Sequence, residues 1–482
     1  MSLVLGIDLG TSGVKSVLVD ERDRILAEAS APIPILRPQP LWFEQEPQDW
    51  WRAVVTTLDE LAASAPAEMA GVRSIGLSGQ MLGVSCIDAL GHALRPAILW
   101  NDGRAQAECA AVEAAVPDFA GLVGCRAMAG FPAPKLAWLA RNEPQLLGRA
   151  EYVLLPKDYI RLRLTGAAAS DRADASATLL MDTVAGTWSP ELLAACGVTV
   201  EQMPTLIASD EISGGLLPKL AARWGMAAET PVVGGAGDNM CGGIGGGIVE
   251  AGMASISLGT SGVYLVANDA FLPARGRGLH THRHAVEGLF VQNGCVLSAG
   301  AALAWVARLV GADDLPALMR EVEAAALPIA ETPVFTPYLA GERTPHDDPA
   351  LAGTFSGLTT ETTRLHLVQA VLEGVAMAFA DCHEALISTG AAIRQAALVG
   401  GGANSRLWTT LIASATGMSL SRSPAAAVGP ALGAARLARR GIGGPLITES
   451  AEPEDEIIAP DRAMAEALSE KKARFAQHLA LR

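Results

Sequence analysis

The sequence predicts an α/β protein made of two related halves that face each other across a cleft, and three observations predict it. First, Leu9-Gly-Thr-Ser-Gly-Val14 recurs letter for letter as Leu258-Gly-Thr-Ser-Gly-Val263, a period long enough to mark duplicated units. Second, each copy follows an apolar strand and precedes an alternating one, residues 14–20 and 263–267, so what repeats is a hairpin. Third, segments of helical and strand period alternate along the rest of the chain. Length agrees, since 482 residues correspond to about three domains of roughly 150 residues or to two large ones.

Taken in order, residues 3–8 form an apolar strand ending in Asp8, Gly10-Thr11-Ser12-Gly13 turns the chain, and residues 14–20 return. No helix follows these glycines, and neither GxxxxGK[ST] nor GxGxxG spacing is present, which speaks against P-loop and dinucleotide-binding folds. Pro47 suits a first helical turn, after which Trp51, Val54, Val55, Leu58 and Leu61 share one face. Residues 72–78 read as a buried strand leading into Gly79-Gln80-Met81-Leu82-Gly83. Residues 231–235 form a short strand opening into Ala236-Gly237-Asp238-Asn239, a glycine-rich helix over 240–249 follows, and the boundary between halves falls near 247. In the second half, 397–399 run into Gly400-Gly401-Gly402-Ala403-Asn404, and Leu407, Leu411 and Ile412 mark the next helix. Residues 429–438 read as a tightly packed helix, 449–456 as an acidic loop, and 463–479 as a terminal helix.

Half the residues are apolar and mean hydropathy is +0.29, enough to bury a sizeable core and to exclude wholesale disorder. The net charge of −15, without a lysine-arginine cluster, argues against extended nucleic-acid or anionic-membrane surfaces. It leaves room for a small anion held by local amides and metal. No uninterrupted apolar run is long enough to span a bilayer and the first strand begins at once, so a cytoplasmic location is expected. The seven cysteines are dispersed and never spaced C-x-x-C, which fits buried thiols rather than zinc or disulfides.

Two glycine hairpins across a cleft would aim backbone amides at the phosphates of a nucleotide, and such a cleft suits ATP. The copies differ where chemistry counts: Asp8 corresponds to Ser257 and Lys15 to Tyr264, so only the first carries charge. Asp8 suits Mg²⁺ and Lys15 the phosphate charge, against a turn-capping role for Asp8. Asp238, presented from a strand end, suits the carboxylate that accepts a proton from an attacking hydroxyl, against an Asx turn. The Gly400–Gly402 run fits close backbone approach to an adenosine with Asn404 as its amide partner, against a plain tight turn. His280, His282 and His284 alternate onto one strand face with no nearby carboxylate, which favours a polar face over a metal site. Trp100-Asn101-Asp102-Gly103-Arg104 suits a sugar pocket, or else a turn in which Asp102 and Arg104 form a structural pair.

These residues resemble the FGGY family of carbohydrate kinases, and most closely its xylulose kinases, nearly end to end. The markers are residues 6–15, Leu41-Trp42 with Glu44-Gln45, Gly79-Gln80-Met81, residues 100–104, Leu155-Pro-Lys-Asp-Tyr159, Gly237-Asp238-Asn239, residues 257–263, Gly341-Glu-Arg-Thr-Pro-His346 and Gly429-Pro-Ala-Leu-Gly433. The resemblance implies an actin-like (ribonuclease H-like) duplicated ATPase fold. Residues 1–247 would form the sugar and Mg-phosphate side and 248–482 the adenosine side, with the last helix packing back on the first unit. It implies ATP-dependent phosphorylation of a ketopentose, D-xylulose first and D-ribulose or another pentose or polyol as the alternative, with Mg²⁺ as cofactor. Asp238 would be the proton acceptor and Asp8 the residue near the metal. Thr11, Ser12, Lys15, Thr260, Gly300, Gly401, Gly402 and Asn404 would face the nucleotide, and Met81, Leu82, Trp100 and Asn239 the sugar. Two departures are Leu82, where xylulose kinases usually have His, and Asn404, where the family often has Arg. A homodimer is compatible with the chain, and nucleic acid and membrane are not expected as partners. The remaining alternative is an actin-like ATPase acting as a chaperone or regulator, although no peptide-binding domain is apparent after residue 440.

Overall fold

In the computed structural model, which describes residues 3–422, 429–447 and 456–480, the first repeat is a hairpin. Strand β1 (Leu3–Leu9) pairs antiparallel with β2 (Gly13–Val19), and β2 with β3 (Ile25–Pro32). Helix α1 (Pro47–Ser64) then crosses this sheet, burying Trp50, Trp51, Val54, Leu58 and Leu61, while Val55 of the expected stripe is only half-buried. Strand β4 (Val72–Gly79) lies parallel to β1. The connection after it is an insertion with its own apolar core, built around Val84, Ile98, Phe119, Leu136 and Leu180. It carries α2 (Pro132–Asn142) and α3 (Pro156–Thr165). The chain re-enters the sheet as β5 (Ile212–Gly215), β6 (Pro231–Val233) and β7 (Ala236–Gly237) and leaves it as α4 (Asp238–Gly245). Helix α4 ends four residues short of the predicted limit, where Gly246 leaves helical geometry and Gly247 takes φ +81°.

The second half repeats this topology. Strands β8 (Met253–Leu258), β9 (Gly262–Asn268), β10 (His280–Arg283) and β11 (Phe290–Val296) form its antiparallel part. Helices α5 (Gly300–Leu309), α6 (Leu315–Ala325) and the long α7 (Arg364–Ile387) follow. Next come β12 (Gln395–Val399), α8 (Arg406–Thr416), β13 (Leu420–Arg422), α9 (Gly429–Gly441), β14 (Glu456–Ile458) and α10 (Arg462–Ala480). The first sheet runs β3-β2-β1-β4-β6-β5, with β7 also on β4; the second runs β10-β11-β9-β8-β12-β13-β14. In both, a run of antiparallel strands, three in the first sheet and four in the second, is followed by two parallel strands and a last antiparallel one, the duplicated actin-like arrangement. Helix α7 is apolar and long enough to cross a bilayer by composition, yet 78% of its most apolar window is buried against the second sheet's core.

Identical letters do not give identical hairpins. In the first, Leu9 pairs with Val14 and four residues turn the chain; in the second, Leu258 pairs with Gly262 and three do. The partners differ accordingly: Thr11 O accepts from Gln45 Nε2 and Ser12 O from Ile33 N, whereas Gly259 O and Thr260 O accept from Gly300 N and Ala301 N at the start of α5.

The C-terminal elements correct one expectation. The last helix, α10, does not return to the first unit; it packs on α8 and α7, with Leu468 and Phe475 in the second core. The helix that does return is α9, which lies on β1, β4 and α4. Its small residues permit this: a Cβ on Gly76 would stand 1.8 Å from Ala434 O, and one on Gly433 1.9 Å from Cys241 O. Of the predicted acidic loop, residues 449–455 lie outside the described residues, and Glu456 opens β14.

Candidate active site

Register places the two candidate acids at the same edge of the first sheet. Asp8 and Ala236 both pair with Ser78 of β4, and Asp238 begins α4 directly after β7. Both carboxylates therefore stand at the carboxyl ends of the parallel strands β1 and β7 that flank β4, the edge at which α/β sheets hold ligands. Asp8 Oδ1 accepts from Ser78 Oγ at 2.8 Å. Burial pushes Asp8 up to about 6, against the opposing Ser78 hydroxyl and Lys15 charge. Burial likewise pushes Asp238 up to about 7, with the Asp8 charge adding to it and the Asn239 amide opposing. With pKa values raised toward neutrality, either acid can take or give a proton near neutral pH. Lys15 faces Asp8 across the hairpin, but its ammonium lies 2.8 Å from Glu28 on β3. Ser12 is exposed at the hairpin tip.

Behind Asp238 lies a sealed charged cluster. Lys157 Nζ stands 2.7 Å from Asp158, 2.6 Å from Asp171 and 3.2 Å from Asp174. Burial and the neighbouring acids push Asp174 up to about 8, against the attraction of Lys157. A Cβ on Gly237 would meet Met81 Cγ at 2.5 Å and Asp174 Oδ1 at 3.0 Å, so Met81 and this cluster together hold the backbone that presents Asp238.

One cavity, of about 510 Å³, is walled by both halves: Leu82, Trp100 and Arg126 from the first, Glu342, Arg343 and Asp347 from the second. Trp100 is 48% exposed and its Nε1 donates to Thr11 Oγ1 at 3.0 Å, tying this wall to the first hairpin. The structural-pair reading of its neighbours holds as well, since Arg104 grips Asp102 through Nε at 2.8 Å and through a second guanidinium nitrogen at 2.7 Å. Asn101 Oδ1, also at this wall, is buried without a protein partner. Met81 and Asn239 do not line the cavity; Met81 is buried beneath Gly237 and Asn239 is exposed on the first turn of α4.

A second cavity, of about 550 Å³, brings together Thr260, Gly300, Gly401, Gly402 and Asn404 with the apolar Leu315, Met319 and Trp408. Gly400 takes φ +90° where the chain leaves β12, a conformation that favours glycine. A Cβ on Gly401 would meet no protein atom and would stand in open space. A polar glycine rim over an apolar floor suits a nucleotide, amides toward phosphate and flat surfaces toward a base.

His280 and His282 of β10, and His284 just beyond it, are buried: burial holds all three pKa values below the ordinary histidine range, and Phe131 packs against the His280 and His282 rings. Among the described residues no group of three or more His, Cys, Asp or Glu is arranged to hold a metal. Asn101 lies in the segment that the sequence pointed to as a pocket, whereas Arg126, Glu342, Arg343 and the Lys157 cluster were missed as site residues. Residues 155–159 and 341–346 stood out only as marks of resemblance, because nothing local shows that 341–346 crosses the cleft.

Comparison with known proteins gives matches along the chain. The FGGY family of carbohydrate kinases matches with its N-terminal domain over residues 3–245 and its C-terminal domain over residues 254–442. A xylulose kinase of Escherichia coli (strain K12) is 43% identical over 437 residues, 91% of this chain and 90% of that protein. A xylulose kinase of Klebsiella pneumoniae is 41% identical over 468 residues, 95% of this chain and 96% of that protein. The crystal structure of a "xyloylose kinase" from Brucella ovis superimposes with a TM-score of 0.95 at 42% identity, covering 99% of both chains.

Proposed function

The chain belongs to the FGGY family of carbohydrate kinases, and from that premise we propose that it transfers the γ-phosphoryl group of ATP to the terminal hydroxyl of D-xylulose, giving D-xylulose 5-phosphate. The observation that carries this is that each copy of the duplicated hairpin meets one of the two cavities: Thr11 is bonded to Trp100 of one, and Thr260 lines the other. In this reading the first cavity takes the sugar and the second the adenosine. Family membership also sets aside the chaperone or regulator alternative.

Asp238 accepts the hydroxyl proton as the oxygen attacks, and its raised pKa keeps it a competent base near neutrality. Met81 and the Lys157 cluster fix the backbone from which it reaches. Trp100 and Leu82 give the sugar an apolar wall, while Asn101, Arg126 and Glu342 offer polar partners. Closing the second half on the first excludes water from the transfer. The donor set fits a magnesium ion, which is bound by one or two carboxylates plus substrate phosphates, and Asp8 is the residue that would hold it. When bound, the ion offsets negative charge on the phosphates as the phosphoryl group moves. The reading extends to a cytoplasmic enzyme and to a homodimer as its assembly.

Purified protein assayed with Mg-ATP against a panel of ketopentoses and polyols tests the proposal, with D-xylulose expected to give the highest kcat/KM. ATP turnover indifferent to sugar would sink it. The Asp8→Asn variant is expected to need more Mg²⁺ for half-maximal rate while the sugar KM holds. An unchanged metal titration with a raised sugar KM would show Asp8 to be misplaced.

A second reading, preference for D-ribulose or a polyol, has Leu82 in its favour, because an apolar side chain at the cavity wall leaves a sugar hydroxyl without a partner. A histidine there restores a hydrogen bond worth about 0.5–1.5 kcal/mol, roughly three- to tenfold in affinity. It also tolerates the left-handed backbone at this position, φ +67°, better than leucine does. Leu82→His is therefore expected to raise the kcat/KM ratio of D-xylulose over its nearest competitor without moving the ATP KM. An unmoved ratio would mean that Leu82 does not read the sugar.

A further inference from the structure

Lys135 occupies a costly position. It lies in the first turn of α2 and is completely buried. Burial strips the ammonium of water and holds its pKa well below the ordinary lysine value. The positive end of the helix repels a cation there. The Arg104 guanidinium adds like charge, and the Asp102 carboxylate that attracts Lys135 is already gripped by Arg104. A lysine placed against all these terms has something to gain nearby.

What it reaches is a pair of backbone carbonyls. Nζ donates to Leu82 O at 2.7 Å and, more weakly, to Ile98 O at 3.4 Å. These two carbonyls belong to two of the first-half segments at the wall of the 510 Å³ cavity: Leu82 lines it directly, and Ile98 precedes Trp100 by two residues. Leu82 is held at φ +67°, a conformation that leucine disfavours, so its backbone needs an external tether. Phe131, the residue just before α2, lines the same cavity.

We infer that Lys135 is a positioning residue for the sugar: its ammonium clamps the Leu82 and Ile98 carbonyls and so sets the spacing between Leu82 and Trp100. The inference rests on the first cavity being the sugar site. It predicts an effect confined to sugar binding, since no part of the clamp touches the second cavity or the two acids.

The test is Lys135→Met, which keeps length and apolar bulk but removes the donors. The KM for D-xylulose is expected to rise about tenfold, with kcat and the ATP KM within about twofold of the parent. Combining it with Leu82→Asn, a residue at ease in the left-handed region, is expected to be non-additive, Lys135→Met then raising the sugar KM less than threefold further. Should Lys135→Met not give soluble protein, Lys135→Gln, which keeps one donor group, is measured the same way. A folded variant with unchanged sugar KM, or one in which both KM values and kcat worsen together, overturns the inference. So does strict additivity with Leu82→Asn, or failure of both variants to fold, which would make Lys135 a requirement of the fold alone. Trp100→Ala separates this from the underlying reading. If it leaves the sugar KM unmoved, the cavity is not the sugar site; if it raises that KM while Lys135→Met does not, only the clamp fails.

Discussion

Replacing Asp238 by Asn is expected to lower kcat by a factor of about 10²–10⁴, the share that general-base catalysis ordinarily supplies, while ATP binding and the fold persist. The amide keeps the shape of the carboxylate and cannot take the proton. The parent enzyme carries a companion signature. Asp238 must be ionised to act, and its pKa is raised to about 7 by burial and by Asp8. Its competent fraction therefore falls as pH drops through 7, and kcat/KM should fall with it, toward tenfold per unit on the acid side. Because one contribution is the like charge of Asp8, Asp8→Asn should move that acid limb to lower pH. Stopped-time assays from pH 5 to 9 on the parent and both variants decide the matter. Near-parent turnover in Asp238→Asn would remove it from the reaction.

The second large effect is expected at Gly76 of β4, which lines neither cavity. A Cβ here would stand 1.8 Å from Ala434 O and 2.6 Å from Ala434 C, both main-chain atoms of α9 that no side-chain rotation can move aside. Gly76→Ala must lift the helix from the sheet, and overpacking of this kind costs about 1–3 kcal/mol or more. Out of a typical total of about 5–15 kcal/mol that is a large share. Since α9 also packs on α4, which begins with Asp238, activity should fall with stability. Thermal unfolding reads the loss. Gly276→Ala, where a Cβ meets nothing within 4 Å, is the control expected to melt with the parent. Equal melting of Gly76→Ala would mean that α9 is not so closely seated.

Much of the fold is local and was therefore legible. Each hairpin announces itself through glycines and alternation within a dozen residues, and α1 through a stripe behind Pro47. Repetition of six letters told of duplication without telling that the two turns close with different lengths, because register depends on partners, Ile33 and Gln45 in one case and the start of α5 in the other. At the site, residues beside glycine turns could be found: Asp8, Asp238, Thr260, Gly401. Glu342 and Arg343 join the cavity from across the cleft, a contact set by tertiary packing rather than by sequence spacing. Lys135 was hidden for the opposite reason: a lysine after Pro-Ala-Pro looks like an ordinary polar helix start until its burial is known.

Helix α9 has a consequence for the order in which the protein is made. Residues 3–245 leave the ribosome with most of their sheet, but the face around Gly6 and Gly76 stays uncovered until residue 441 has been added. At about 5–20 residues per second the wait lasts roughly 10 to 40 s, during which an apolar surface meant for Leu432 and Ala435 is open to chaperones and proteases. The two units are thus not born as independent beads, and an expression fragment cut between them carries the same bare face permanently. A chain ending at residue 428 should be nicked by protease within β1 and β4 under conditions that spare the full chain, and adding residues 429–447 as a separate peptide should restore protection.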